Sequence, residues 1–289
     1  MERCNKSVLE LVKFNEYDIT GLIELSASVG WDYDENEIGT VLESGEIFGH
    51  KNADGKIVSS AAIIPYDSSL ATIGMVIVNN GYRGMGLGKE ATLKCINSVS
   101  KNITIMLIAT EEGKRLYEKM GFTKVDVIHK YISDNYVPIS RLTGNDVIIE
   151  EFSENDINEI LKIDEDAFGD RRSRFLKNRI EQSEKCLVVK DNSGTIVGYG
   201  MSILGPVNLI LGPISAPDFQ TASLLIDKLS SKHQGKLRID VPSNNEEFMA
   251  MLEKGGFIKV SEPPIMVINS LDMPPRNNTL YGIAAQIFG

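Results

Sequence analysis

The chain has 289 residues, 42% hydrophobic and 24% charged, and carries a formal charge of −10. That length suits two ordinary domains, and the composition excludes a disordered or fibrous chain. No apolar run is long enough to span a membrane, no basic tract suits nucleic acid, and the opening MERCNKSVLELVKF lacks a signal peptide's apolar core.

A cytoplasmic protein is therefore expected. Cys4, Cys95 and Cys186 lie far apart and read as reduced thiols. His50, His129 and His233 are equally scattered, so neither a metal site nor a His-based triad is expected.

In chain order, a strand is predicted near 8–14. A helix follows, with Asp18 as N-cap ahead of Leu22, Ile23 and Leu25. The loop SVGWDYDENE leads to a short helix over 36–43. Strands are predicted over 46–50, 56–65 and 70–78, with NADGK as the turn between the first two. Leu87, Ala91, Cys95 and Val99 recur every fourth residue on a helix ending near 99. NITIMLIA reads as a strand. Thr110 then caps a helix whose first turn holds Glu111 and Glu112, favourable against the helix dipole. Gly121 stops that helix, and FTKVDVIHKYI is the closing strand.

The chain then echoes itself. FNEYDITGLIEL (14–25) resembles FSENDINEILKI (152–163). DGKIVSSA (54–61) resembles SGTIVGYG (193–200), and LYEKMGFTKV (116–125) resembles MLEKGGFIKV (251–260). Three anchors in one order indicate a tandem duplication of one α/β fold. Residues 1–138 form the first copy, 139–146 a linker poor in apolar periodicity, and 147–289 the second copy.

The stretch NNGYRGMGLGKE (79–90) puts Gly81, Gly84, Gly86 and Gly88 between a strand and a helix. Backbone amides at such a turn converge on an anion, usually phosphate. A Walker loop would need Gly where Arg83 stands and Ser or Thr at Glu90. A dinucleotide fingerprint would need GxGxxG on the first strand of a parallel unit. Both readings fail, which leaves an RxxGxG loop or a simple tight turn.

The loop, with the strand MVIV before it and ATEEGKRLYEKMGF after it, resembles the GNAT N-acetyltransferase superfamily. The resemblance implies two tandem GNAT-like folds with a mixed sheet, and acetyl-CoA as cofactor. It implies that Val76, Ile77 and Val78 bond the pantetheine arm. Arg83, Gly84, Met85, Gly86, Leu87, Gly88 and Lys89 would then surround the pyrophosphate. Thr110 stands where many relatives carry an Asn that touches the same arm. Tyr117 occupies the place of the family's general acid, and an amphipathic-helix Tyr is also a common core residue. Trp31 and Asp32, between the first two helices, belong to the acceptor wall. Trp31 either stacks on the acceptor or anchors its loop. Glu24, Asp32, Asp34 and Glu111 are candidate bases.

The second copy departs from the pattern. Its LILGPISAPDFQTASLLIDKL has no RxxGxG, Pro217 and Asp218 occupy the turn, and Leu252 replaces Tyr117 in the repeat. It resembles tandem GNAT proteins in which one copy has lost the cofactor. Its expected use is to wall the acceptor pocket or to make a homodimer contact. Arg171, Arg172 and Arg174 in FGDRRSRFL read as a solvated helix start, with pairing to an acidic substrate or to the first domain as the alternatives. The expected activity is acetyl transfer to a primary amine of a small molecule. A regulatory acyl-CoA binder, a longer acyl donor and a protein or peptide amine stay open.

Overall fold

The computed structural model describes residues 9–138 and 147–289, so the expected linker at 139–146 lies outside the described residues. The first half runs β1 (Glu10–Lys13), α1 (Ile19–Ala27), α2 (Glu35–Ser44), β2 (Glu46–Lys51), β3 (Ile57–Pro65) and β4 (Leu70–Val78). It continues with α3 (Leu87–Ser98), β5 (Thr104–Ile108), α4 (Glu111–Lys119) and β6 (Thr123–Ser133). The second half repeats that order as β7 (Ile148–Glu151), α5 (Ile157–Phe168), α6 (Ser173–Gln182), β8 (Lys185–Lys190), β9 (Ile196–Leu204) and β10 (Asn208–Ser215). Then come α7 (Phe219–Ser230), β11 (Lys236–Pro242), α8 (Glu246–Lys254), β12 (Ile258–Ser261), β13 (Pro264–Ile268) and β14 (Leu280–Gly282). Strands β3 and β4 are buried almost throughout. Helices cover both faces of the sheet, which is why these strands read as near-continuous apolar runs.

Thr110 caps as expected, its Oγ1 accepting from the Gly113 amide at 3.1 Å. Asp18 does not. Its carboxylate accepts from the Asn15 amide (3.1 Å), closing a turn one step earlier, and pairs with Lys51 at 2.6 Å. The Asp was read correctly as a helix-start signal but serves the short turn that precedes α1.

The strands form one mixed sheet in the order β1-β2-β3-β4-β5-β13-β6-β11-β10-β9-β8-β7. The closing strands are exchanged between the copies. The first part of β6 pairs with β13, from Thr123↔Val267 to Val127↔Pro264. Its second part pairs with β11, from Ile128↔Pro242 to Ser133↔Leu237. Strand β13 in turn lies against β5 of the first copy, from Ile265↔Ile108 to Ile268↔Ile105. At roughly 3.3 Å per residue, β6 is long enough to serve both halves.

The core continues across the copies, joining Phe14, Leu22 and Ile38 to Phe168, Phe175 and Phe288. FGDRRSRFL is the clamp between them, not a solvated helix start. Arg172, 1% exposed, holds Asp164 in a two-pronged pair (2.7 and 2.9 Å) and lies 3.8 Å from the Phe168 ring centroid. It also donates to the Phe288 carbonyl (3.3 Å), which accepts from the Tyr66 hydroxyl (2.5 Å). Asp170 accepts from the Ser69 and Leu70 amides of the first copy at 2.8 and 2.7 Å. Arg171 contacts Asp67 and Glu165, and Arg174 alone of the three makes an ordinary exposed helix start.

Candidate active site

Parallel pairing of β4 with β5 runs from Leu70↔Thr104 only as far as Ile73↔Leu107. Beyond Ile73, β4 continues to Val78 with no strand on that edge among the described residues. A bulge sets the divergence, because Ser60 pairs with Ile77 and Ala62 with Gly74, leaving Met75 and Val76 opposite Ala61. Met75 has φ +49°, and the Ser60 hydroxyl donates to its carbonyl at 2.7 Å. A non-glycine residue held in that region is a strained backbone kept by its surroundings. Gly74 is required for a separate reason: a Cβ there would stand 2.5 Å from Cγ1 of Ile287, where the chain's tail passes.

The splay opens a cleft of about 1340 Å³. Val76, Ile77, Val78, Arg83, Gly84, Gly86, Leu87, Gly88, Lys89, Thr110, Tyr117, Trp31 and Asp32 all line it. Met85 is 49% exposed and lies outside the lining, because the loop turns its side chain to solvent. Of the candidate bases, Glu24 is outside the cleft. Asp34 is committed to capping α2, accepting from the Glu37 amide at 2.8 Å.

The loop delivers open donors. Gly86, at φ +84°, is the N-cap of α3 and offers no side chain to the first-turn amides. An added Cβ at Gly84 or Gly86 would meet nothing within 4 Å, so the space above the loop is clear. Unfilled amides at a helix start suit a pyrophosphate, and Arg83 stands at the rim, 3.6 Å from Glu112. These residues fit the phosphate end of a coenzyme A thioester.

The matching place in the second copy is closed three times over. Asp218 caps α7 with its own carboxylate, accepting from the Thr221 amide at 2.7 Å. The bulge of β10 carries Pro213 where the first copy has Val76, and proline has no N–H to offer. The gap between β10 and β11 holds the chain's own β14, paired at Ile214↔Gly282, while the Ile283 amide donates to the Asp240 backbone carbonyl at 2.9 Å.

Tyr117 is 7% exposed and packs edge-on against Phe122, with ring centroids 5.8 Å apart. Tyr117 lines the cleft, and its hydroxyl hydrogen-bonds to no described residue. Burial, then the nearby Cys95, pushes its pKa above the usual phenol value, so the hydroxyl keeps a proton it can donate. The ring is therefore core, as an amphipathic-helix Tyr usually is, in a residue that also lines the cleft. Trp31 is half-buried against the core, 6.2 Å from Tyr33, and its amide donates to Ser26 at 3.0 Å, so it anchors the loop as well as lining the cleft. His50 Nδ1 does reach Ser59 Oγ (2.7 Å), with Nε2 3.3 Å from Glu90, but Ser59 is fully buried and cannot meet a substrate.

Sequence reasoning offers the second copy as a wall of the acceptor pocket but names none of the residues on it. Lys130, Ile203, Asn208, Arg238 and Gln286 face the same cleft from β6, β9, β10, β11 and the tail. No local signal marks them, because the strand exchange that brings them there is a pairing between distant segments.

Models of the acetyltransferase (GNAT) domain match this chain twice, over residues 34–131 and 160–282. An uncharacterized N-acetyltransferase of Bacillus subtilis, YitH, is 35% identical over 281 residues, covering 97% of this chain and 98% of its own. The chain belongs to the GNAT acetyltransferase family, whose members generally use acyl-CoA, and it is a tandem member with two such domains. Holothin acyltransferase of a Pseudoalteromonas species is 22% identical over 242 residues, 80% of this chain and 78% of its own. Two solved structures share the fold. A Pyrococcus horikoshii protein assigned as an acetyltransferase has a TM-score of 0.82 at 21% identity, covering 100% of this chain and 99% of its own. A tandem GNAT protein from the clavulanic acid biosynthesis pathway has a TM-score of 0.67 at 13% identity, covering 90% and 98%. Among the described residues, no helix is long and apolar enough to cross a membrane.

Proposed function

We propose that this protein moves an acetyl group from acetyl-CoA to a primary amine of a small molecule, at one site in the first copy. The contrast between the copies carries the reading. One helix start and one splay are open, whereas their counterparts are filled by Asp218 and by β14. On this reading the cofactor domain is 1–138, and the second domain, 147–289, keeps the fold, binds no cofactor and walls the acceptor end.

When bound, acetyl-CoA supplies an activated acyl thioester. The amides from Gly84 to Gly88 hold its pyrophosphate, and the free edge of β4 from Val76 to Val78 holds its arm. That places the carbonyl by the bulge, where the Val76 N–H can donate to an oxygen that gains charge. Tyr117 donates its proton to the departing sulfur. Orientation of the amine against the carbonyl does the remaining work, without a covalent enzyme adduct. Asp32, exposed at the acceptor wall, accepts the amine's proton directly or through water.

Amine-dependent thiol release from acetyl-CoA, measured over a panel of primary amines, tests this. Turnover with at least one amine is expected. Tight CoA binding with no release on any amine would contradict it and favour a regulatory binder.

A further inference from the structure

The wall opposite the phosphate loop carries charge unlike the rest of this acidic chain. Lys130 on β6 and Asp240 on β11 are cross-strand partners, and Arg238, two residues from Asp240, shares their face. Arg238 donates to one Asp240 oxygen through Nε (2.9 Å) and Nη2 (2.7 Å). Gln286 donates to the other at 3.0 Å. Asp240, 1% exposed, is thereby satisfied and cancels one of the two cations. Lys130 makes no hydrogen bond or ion pair with any described residue, although it lines the cleft beside Arg238. Glu262, which lines the same side next to the Ser261↔Lys130 pair, is matched by Lys259, so Lys130 leaves the wall one net positive charge. Across the gap, Asp32 is near enough to favour the charge on both cations without pairing with either.

We infer that Lys130 and Arg238 receive a carboxylate on the acceptor, so that the amine acetylated here belongs to an amino-acid-like compound. This rests on the amine-transfer reading above. One carboxylate matches one net positive charge, whereas a phosphate dianion would set its second charge against Asp240. The pair belongs to the acceptor end, because Arg238 stands beside Asp32 and Tyr33 while the open amides for a pyrophosphate lie on α3. Burial, then Arg238, lowers the Lys130 pKa, a cost that an arriving anion relieves. The carboxylate fixed on this wall leaves the acceptor's ammonium toward Asp32, where its proton has a place to go.

The test compares α-amino acids of apolar, polar and basic side chain with their decarboxylated amines, and adds phosphoethanolamine against ethanolamine. Thiol release from acetyl-CoA is followed in the unaltered protein, Lys130→Met and Lys130→Arg. Arg238 is left in place, since its loss would strand the buried Asp240. The CoA-loaded proteins are also titrated calorimetrically with the N-acetyl derivatives of the same panel. The best amino acid should exceed its decarboxylated partner in kcat/KM by about 10- to 100-fold. Lys130→Met should bring that ratio close to one through acceptor KM, with acetyl-CoA KM unmoved, and Lys130→Arg should restore most of it. Equal use of the decarboxylated amines, preference for the phosphate, or a rise in acetyl-CoA KM in Lys130→Met would overturn the inference and leave amine transfer standing. If no amine turns over, Lys130-dependent binding of N-acetyl amino acids would uphold the carboxylate site and remove the transfer reading. Absence of both would overturn both.

Discussion

Tyr117 is a core residue for which we propose a chemical role as well. Its ring fills space between Phe122 and the α3 helix, and the residue lines the cleft. Burial keeps its proton on, which suits the proposed role as donor to the leaving sulfur. Tyr117→Phe should keep acetyl-CoA KM and lose roughly 100-fold in kcat. An unchanged kcat would confine Tyr117 to the core. Gly86 and Asp218 make the second test at this scale. Gly86→Val puts a branched side chain at φ +84° and over the open amides, so acetyl-CoA affinity should fall at least tenfold. Asp218→Ala should cost about 1 kcal/mol of stability in urea unfolding and leave that affinity alone. These residues were legible beforehand because each sits in a short motif whose chemistry is local. Met85 was carried along by its place in the loop, and only coordinates show that its side chain faces solvent.

The elements divide along similar lines. Helices and strands up to β6 follow from apolar periodicity, turn residues and caps, all of which act within a few residues. In FGDRRSRFL the pairing with the first domain prevails over the solvated helix start, for the opposite reason. Arg172 looks like any charge at a helix start, and its partners are Asp164 one helix back and Phe288 in the tail. Nothing near it in sequence announces a buried site. Replacing Arg172 with Met removes the cation and leaves Asp164 buried without its charge partner, a loss of about 3–5 kcal/mol. Chemical unfolding monitored by circular dichroism would measure it, and a change under 1 kcal/mol would show that this clamp does not hold the halves together.

At the scale of the whole molecule, the strand exchange ties the copies into one folding unit. Strand β6 completes the second copy's sheet and β13 the first's, and either strand's pattern would suit any apolar sheet edge, which is why the exchange was invisible in the sequence. Residues 1–138 expressed alone would expose the β5 edge and should be insoluble or self-associated, with co-expression of 139–289 restoring a soluble complex. A soluble, monomeric 1–138 would argue against that coupling. Stability should also fall at high pH. Burial raises the pKa of Tyr33, Tyr66, Tyr117 and Tyr199, so each keeps its proton when the unfolded chain loses it. Each then costs about 1.4 kcal/mol per pH unit above roughly pH 10. Lys130 and Arg276, lowered by burial, act with the opposite sign but are outnumbered. Urea midpoints that hold steady from pH 10 to 11 would contradict this.

The account turns on one open acyl-CoA site in a chain that carries the fold twice. Calorimetric titration with acetyl-CoA reads this directly. It should give one molecule bound per chain, with that binding lost in Gly86→Val and kept in Asp218→Ala. Two molecules per chain, or a site that survives in Gly86→Val and disappears in Asp218→Ala, would contradict it.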